Sequence, residues 1–162
     1  FAASHVSLIL ILYGAAIAAG NLLGGRIADR NPVKALAGLF LAQAAVLVLF
    51  TVTQVSAVPA LVTLTALGFL SFANVPGLQL YVVQLAQRHR PGAVDTASAL
   101  NIAAFNLGIA LGAWIGGLVA ASPLGLGATP WVGGIMVAGA LVLTLWSGAL
   151  DSRAARPILR TA

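Results

Sequence analysis

The sequence predicts an all-α fold, a polytopic membrane helix bundle of about five transmembrane helices. Of its 162 residues, 60% are hydrophobic and only 7% are charged, whereas a soluble domain normally carries about 25% charged residues. All of the Lys, Arg and Asp residues fall in three short clusters, and the chain has no Glu. Such a chain has too little polar surface to face water on all sides.

The uncharged runs between these clusters give the number of helices. Residues 1–25, 35–87 and 96–150 are 25, 53 and 55 residues long. Because a membrane span takes roughly 20 apolar residues, these runs hold one, two and two helices. Segments rich in turn-forming Pro and Gly, at 54–59 and 122–130, divide the two longer runs. The predicted spans are 4–23, 34–53, 58–86, 95–121 and 130–150, followed by a C-terminal tail at 151–162.

The orientation of the bundle follows from its basic residues. Five spans place all eight Lys and Arg residues on one side of the membrane, and the positive-inside rule assigns that side to the cytoplasm. We therefore expect a multi-pass protein of the cell (inner) membrane with a cytoplasmic C-terminus and with lipid as a partner. The net charge of +5 is then a topology signal and requires no nucleic-acid partner.

The first charged cluster carries the sharpest motif. Residues 24–34 read GGRIADRNPVK and resemble the loop signature of the major facilitator superfamily, G-x-L-A-D-R-x-G-R-K. The matching positions, predicted to form a conformational loop motif, are Gly25, Asp29, Arg30 and Lys34. Pro32 and Val33 depart from the usual Gly and Arg. The resemblance implies that Asp29 places its carboxylate at the positive N-terminus of a neighbouring helix. A solvated turn with stray charges is the alternative.

Three segments together extend this resemblance over nearly the whole chain. Residues 20–26, 72–79 and 99–117 look like parts of the C-terminal half of the arabinose-efflux and chloramphenicol-resistance exporter subgroup. The third predicted span has no Arg and the fourth no Gly-Pro pair, both of which would be usual in the N-terminal half. The chain therefore fits helices 8–12 of such a transporter, and we expect the missing N-terminal helices to be its partners.

This resemblance implies a secondary active transporter that exports a small molecule, a drug such as chloramphenicol or a sugar, by alternating access with proton coupling. As an antiporter of this kind it would confer antibiotic resistance. A non-transporting membrane scaffold or a pore-forming oligomer is the alternative from another class. A coding sequence that continues upstream through about seven further hydrophobic spans would favour the transporter.

No enzymatic activity, cofactor or metal is predicted. The spans contain no Ser, His and Asp arrangement and no phosphate-binding glycine loop with Lys. Neither His5 nor His89 has a second ligand at metal-binding spacing.

Polar residues within the spans are the candidates for substrate contact, because an unpaired polar group in hydrocarbon is costly. The predicted substrate cavity consists of Asn74, Tyr81, Gln84 and Asn106. Asn101 lies on the glycine-bearing side of its helix and is expected to hydrogen-bond to another helix. For each of these amides, structural bonding between helices remains an equally open interpretation.

Glycines at i, i+4 spacing predict close helix packing, since small residues let helices in lipid approach. They are Gly20, Gly24, Gly108, Gly112 and Gly116. These glycine stripes could also be surfaces that slide during alternating access.

The acidic residues lie outside the predicted hydrophobic interior. They are Asp29, Asp95 and Asp151, and Asp95 is expected to cap the start of the fourth helix. If the intact protein is a proton antiporter, its titrating carboxylate is therefore expected in the N-terminal part.

Overall fold

The computed structural model describes residues 3–155 and consists of five long α-helices. They are α1 (Ala3–Ala28), α2 (Pro32–Thr53), α3 (Ala57–His89), α4 (Val94–Ala121) and α5 (Thr129–Ala155). Each helix is long and apolar enough to cross a membrane. The predicted all-helical bundle of five apolar helices is confirmed. Residues 156–162, which make up most of the predicted tail, lie outside the described residues.

The junction between α1 and α2 shows why its sequence departs from the usual loop signature. The Asn31 side chain accepts a hydrogen bond from the backbone N–H of Lys34 at 3.0 Å, and Pro32 occupies the first turn. An Asn cap followed by Pro is a favourable helix start, because it satisfies a free backbone donor and places Pro where no N–H is needed. As a result, α2 begins two residues before the predicted span.

The start of α4 corrects one expectation. The capping position is Ala93, which makes no side-chain hydrogen bond, and Asp95 lies inside the first turn. The prediction that Asp95 caps this helix was wrong, because the capping position lies two residues earlier. At its actual position the carboxylate can still interact favourably with the helix dipole.

Helix α3 forms the centre of the bundle. It packs along α1 and α2, α5 packs along α2, and α4 touches α3. The core lies between α2, α3 and α5, where Leu36 is fully buried beside Phe40 and Tyr81. No residue of α4 is buried, so this helix is the most loosely held of the five.

Glycine residues bring α1 and α3 into backbone contact. A methyl group on Gly20 would lie 2.2 Å from the carbonyl oxygen of Phe69, and one on Gly24 would lie 2.1 Å from that of Ala73. The two helices can approach this closely because neither glycine has a side chain. The α4 glycines differ, since Gly108, Gly112 and Gly116 have no neighbour within 4 Å among the described residues.

One glycine is required for its backbone conformation. Gly125, in the connection between α4 and α5, has a φ of 67°, a value that glycine adopts without steric penalty. Its N–H donates to the carbonyl oxygen of Ser122 at 3.0 Å. This turn reverses the chain at the end of the bundle opposite the charged clusters.

Candidate functional site

The polar contacts between helices within the span involve uncharged side chains and radiate from α3. One cluster joins α3 to α2, a second joins α3 to α4, and one hydroxyl–hydroxyl bond joins α3 to α5 within the span. At the helix ends, Thr53 bonds Thr63 across α2 and α3, and the one charged contact among the described residues, Arg88 with Asp151, joins α3 to α5. The side chains that participate within the span are Gln43, Ser71, Asn74, Gln79, Tyr81, Ser98, Asn101 and Ser147. Because polar groups at membrane depth need partners, these contacts determine which faces of α3 meet which helices.

The α2–α3 cluster contains the first predicted cavity residue. The Nδ2 of Asn74 donates to the Oε1 of Gln43 at 2.9 Å and to the carbonyl oxygen of Leu70 at 3.1 Å. The Nε2 of Gln43 in turn donates to the Oγ of Ser71 at 3.1 Å. Asn74 is only 4% exposed. The structure therefore places Asn74 between two helices of this chain, and its role in substrate binding stays a prediction.

Two further predicted cavity residues lie toward the charged end of α3. Tyr81 is 8% exposed, and its hydroxyl shares a 3.0 Å hydrogen bond with that of Ser147 on α5. Gln84 lies near this contact, in a basic pocket beside Arg88. Tyr81 thus contacts α5, and Gln84 lies in the pocket at the helix ends. Contact of either residue with substrate stays a prediction.

The α3–α4 cluster is a chain of three neutral side chains. The Nδ2 of Asn101 donates to the Oε1 of Gln79 at 2.6 Å, and the Nε2 of Gln79 donates to the Oγ of Ser98. The prediction that Asn101 bonds to another helix is confirmed. Neither its partner Gln79 nor the Ser98 hydroxyl that Gln79 bonds in turn was predicted, although Gln79, an amide within an apolar span, was a detectable signal.

The fourth predicted cavity residue, Asn106, lies on the exposed surface of α4. Its Nδ2 donates to the carbonyl oxygen of Ile102 one turn earlier, at 3.0 Å. Bonding to its own helix leaves the Oδ1 atom available to a further partner. Asn106 is thus separate from the α3 clusters, and its cavity role stays a prediction.

The loop motif lies at the charged end of the bundle. Asp29 and Arg30 are exposed in the turn that follows α1, where the Asp29 N–H donates to the carbonyl oxygen of Gly25 at 3.1 Å. The one ion pair within the described part of the chain joins Arg88 to Asp151 at 2.9 Å and ties the end of α3 to α5. Because Asp29 forms no ion pair there, its docking onto another helix stays a prediction.

The fold and the site define a multi-pass membrane protein whose polar contacts at membrane depth are neutral and whose charges lie at the helix ends. The profile of the Major Facilitator Superfamily matches residues 1–160. This chain belongs to that superfamily, which is a family of transporters rather than enzymes.

Curated relatives agree with this assignment. The chain is 52% identical over 153 residues to the uncharacterized MFS-type transporter YtbD of Bacillus subtilis (strain 168), covering 94% of this chain and 38% of that protein. It is 36% identical over 117 residues to the inner membrane transport protein YdhP of Escherichia coli (strain K12), covering 72% and 29%. It is 35% identical over 121 residues to a probable sugar efflux transporter of Helicobacter acinonychis (strain Sheeba), covering 74% and 29%.

The chain thus spans about a third of the length of the curated relatives that it matches. No solved structure shows a significant match to it.

Proposed function

We propose that this chain forms helices 8–12 of a proton-coupled exporter of the arabinose-efflux and chloramphenicol-resistance subgroup, which moves a small uncharged molecule by alternating access. The observation that carries this proposal is the neutrality of the polar contacts that α3 makes at membrane depth, which are between amides and hydroxyls. Its charged contact, Arg88 with Asp151, lies at the helix end. The relative named as a probable sugar efflux transporter supports a neutral, hydroxyl-bearing substrate. Neutral donors and acceptors suit such a substrate, since a charged one would need a countercharge at membrane depth.

Within this proposal, the α3–α4 cluster extends the predicted cavity. Gln79 and Asn101 are only partly buried, so their amides can exchange their mutual bond for bonds to a substrate. They join the predicted cavity residues, of which Asn106 lies on the same helix as Asn101. Since α4 has no buried residue, it can shift on binding with little loss of packing.

The two glycine stripes take different parts in the proposed motion. Gly20 and Gly24 hold α1 rigidly against α3 through backbone contact. Gly108, Gly112 and Gly116 face open space, and we assign to them the contact with the missing N-terminal helices. A smooth stripe of small residues lets two helices slide during alternating access.

In the full-length protein, Asp29→Asn is expected to lower the efflux rate about fivefold without lowering membrane abundance. The exposed carboxylate would lose an interaction of about 1 kcal/mol with a helix N-terminus in the other half, which shifts the conformational equilibrium. Drug or sugar efflux from cells measures the rate, and immunoblotting measures abundance. Asp95→Asn, which removes another exposed carboxylate at the same end, is the matched control. If Asp29→Asn exports at the same rate as Asp95→Asn, Asp29 is a solvated loop charge that docks on no helix.

Transport by the reconstituted full-length protein tests the proposed function and its coupling. An imposed proton gradient is expected to drive accumulation of a labelled neutral sugar or chloramphenicol in proteoliposomes. Asp95→Asn and Asp151→Asn, singly and together, should leave proton-coupled counterflow intact, because both carboxylates lie at helix ends. Losing the Asp151 ion pair with Arg88 should cost at most about 1 kcal/mol of stability.

Two results would contradict different parts of this account. Loss of coupling with retained substrate binding in either Asp variant would place the proton site in this chain and contradict its expected place in the N-terminal part. An unselective leak of ions and sugars through the reconstituted protein would favour the pore-forming alternative.

A further inference from the structure

A pocket of about 530 Å³ opens at the charged end of the bundle. Its walls come from three places in the chain, the α1–α2 turn, the last turns of α3 and the last turns of α5. Arg30 and Lys34 line the first wall, Arg88 the second, and Asp151 and Ser152 the third. Two predicted cavity residues, Tyr81 and Gln84, also line this pocket, but the contacts proposed for the substrate involve none of the five side chains named here.

The pocket is electropositive. Three cations face one carboxylate, which leaves a net charge of +2, and Arg88 already uses that carboxylate in its ion pair. Within the described part of the chain, Arg30 and Lys34 form no ion pair. The amide of Gln84 also lines the pocket, so a neutral donor stands beside the cations. This combination suits a phosphate, which takes several donors at once.

The surroundings of the pocket point to a lipid phosphate. Leu41 lies seven residues after Lys34 on α2, and Leu145 lies seven residues before Ser152 on α5, so each sits two turns deeper on the same helix face as a pocket residue. Both leucines are exposed within the chain, at 63% and 53%. An acyl chain that extends from a phosphate in the pocket would cover this apolar surface.

We propose that this pocket binds the phosphate headgroup of an anionic phospholipid, such as phosphatidylglycerol, through Arg30, Lys34 and Arg88. Basic pockets between transmembrane helices on the cytoplasmic side are suited to anionic headgroups. The charged residues that would hold the headgroup are separate from the proposed substrate contacts, although Tyr81 and Gln84 line both sites. A bound lipid would bridge the loop motif to the ends of α3 and α5.

Lipid binding to the purified full-length protein tests this site. Native mass spectrometry in detergent would compare phosphatidylglycerol with phosphatidylcholine of the same acyl chains, and phosphatidylglycerol should bind more tightly. Arg30→Gln and Lys34→Gln should each lower its affinity about fivefold, and the double variant about twenty-five-fold. Phosphatidylcholine binding should change little in any of these variants. Both side chains are exposed, so neither substitution should disturb the core. Size-exclusion profiles report whether each variant folds.

Arg90→Gln is the matched control, because Arg90 is an exposed cation at the same end of the bundle that does not line the pocket. Its phosphatidylglycerol affinity should stay within about twofold of the unmodified protein. An equal loss in Arg90→Gln and the pocket variants would show diffuse attraction to charge and overturn the site. Displacement of the lipid by inorganic phosphate or glycerol phosphate at similar concentrations would identify a soluble phosphate as the ligand and overturn the lipid assignment. Equal affinities for the two lipids would also overturn it.

Discussion

Gly24→Ala is expected to destabilise the bundle strongly, because a methyl added at this glycine would make the shortest contact of any glycine in the described residues. The new methyl would lie 2.1 Å from the carbonyl oxygen of Ala73 and 2.6 Å from its Cα atom. Both are backbone atoms, so α1 and α3 must separate along their length. Overpacking of this kind costs about 3 kcal/mol. The thermal unfolding midpoint of the purified full-length protein and its abundance in membranes should both fall.

Gly38→Ala provides the matched control for this substitution. Gly38 also lies within a helix, but it is exposed, and an added methyl would have no atom of residues 3–155 within 4 Å beyond its own helix backbone and chain neighbours. Alanine is the better helix former by about 0.8–1.0 kcal/mol, so this variant should be as stable as the unmodified protein or more so. Equal stability of the Gly24 and Gly38 variants would show that α1 and α3 do not meet through Gly24.

The double variant Gln79→Leu/Asn101→Leu is expected to lower kcat/KM for export at least tenfold while the protein stays folded. Each amide donates or accepts hydrogen bonds that leucine cannot, and losing such a bond to a substrate costs about 1–3 kcal/mol. Removing both amides together leaves only the Ser98 hydroxyl without its partner, and a serine hydroxyl can bond to a carbonyl of its own helix, so the effect on stability should be small. Efflux normalised to the amount of membrane protein measures the change.

Gln43→Leu distinguishes a substrate contact from a structural one. Gln43 accepts the hydrogen bond of the buried Asn74, so its loss should lower stability by about 1–3 kcal/mol. Export per folded molecule should fall far less than in the double variant, since Gln43 is not itself a predicted cavity residue and reaches the cavity only through Asn74. If the double variant loses only abundance, in the same way as Gln43→Leu, the α3–α4 cluster is structural and makes no contact with substrate.

The number and type of helices could be predicted because charge is excluded from the hydrocarbon region. Runs without Lys, Arg or Asp therefore mark the spans, and the bundle has the predicted five helices. The helix ends were harder to predict from the sequence, since they depend on capping. Asn31 and Pro32 begin α2 earlier than hydropathy indicates, while Asp95 lies inside α4 instead of capping it.

The partners of the polar and small residues could be predicted only in part. Periodicity places Asn74 and Tyr81, seven residues apart, on one face of α3, but it does not tell which helix that face meets. The structure shows that this face meets Gln43 on α2 and Ser147 on α5.

The same limit applies to the glycine stripes. Those of α1 and α4 have the same i, i+4 spacing, yet a methyl on Gly24 would meet α3, while one on Gly112 would meet no neighbour within 4 Å among residues 3–155. Which helices become neighbours depends on the packing of the whole bundle, and this information is spread over several helices.

Single cysteines in the connections test whether the charged end of the bundle faces the cytoplasm, as helices 8–12 of an exporter require. The chain has no cysteine of its own, so every labelled thiol is an introduced one. In sealed cells, an impermeant thiol reagent should label Ser56→Cys and Gly127→Cys. It should label Asn31→Cys and Gly92→Cys only after the membrane is permeabilised. Labelling of the Asn31 or Gly92 variant in sealed cells at the rate seen for Ser56 would contradict the proposed topology.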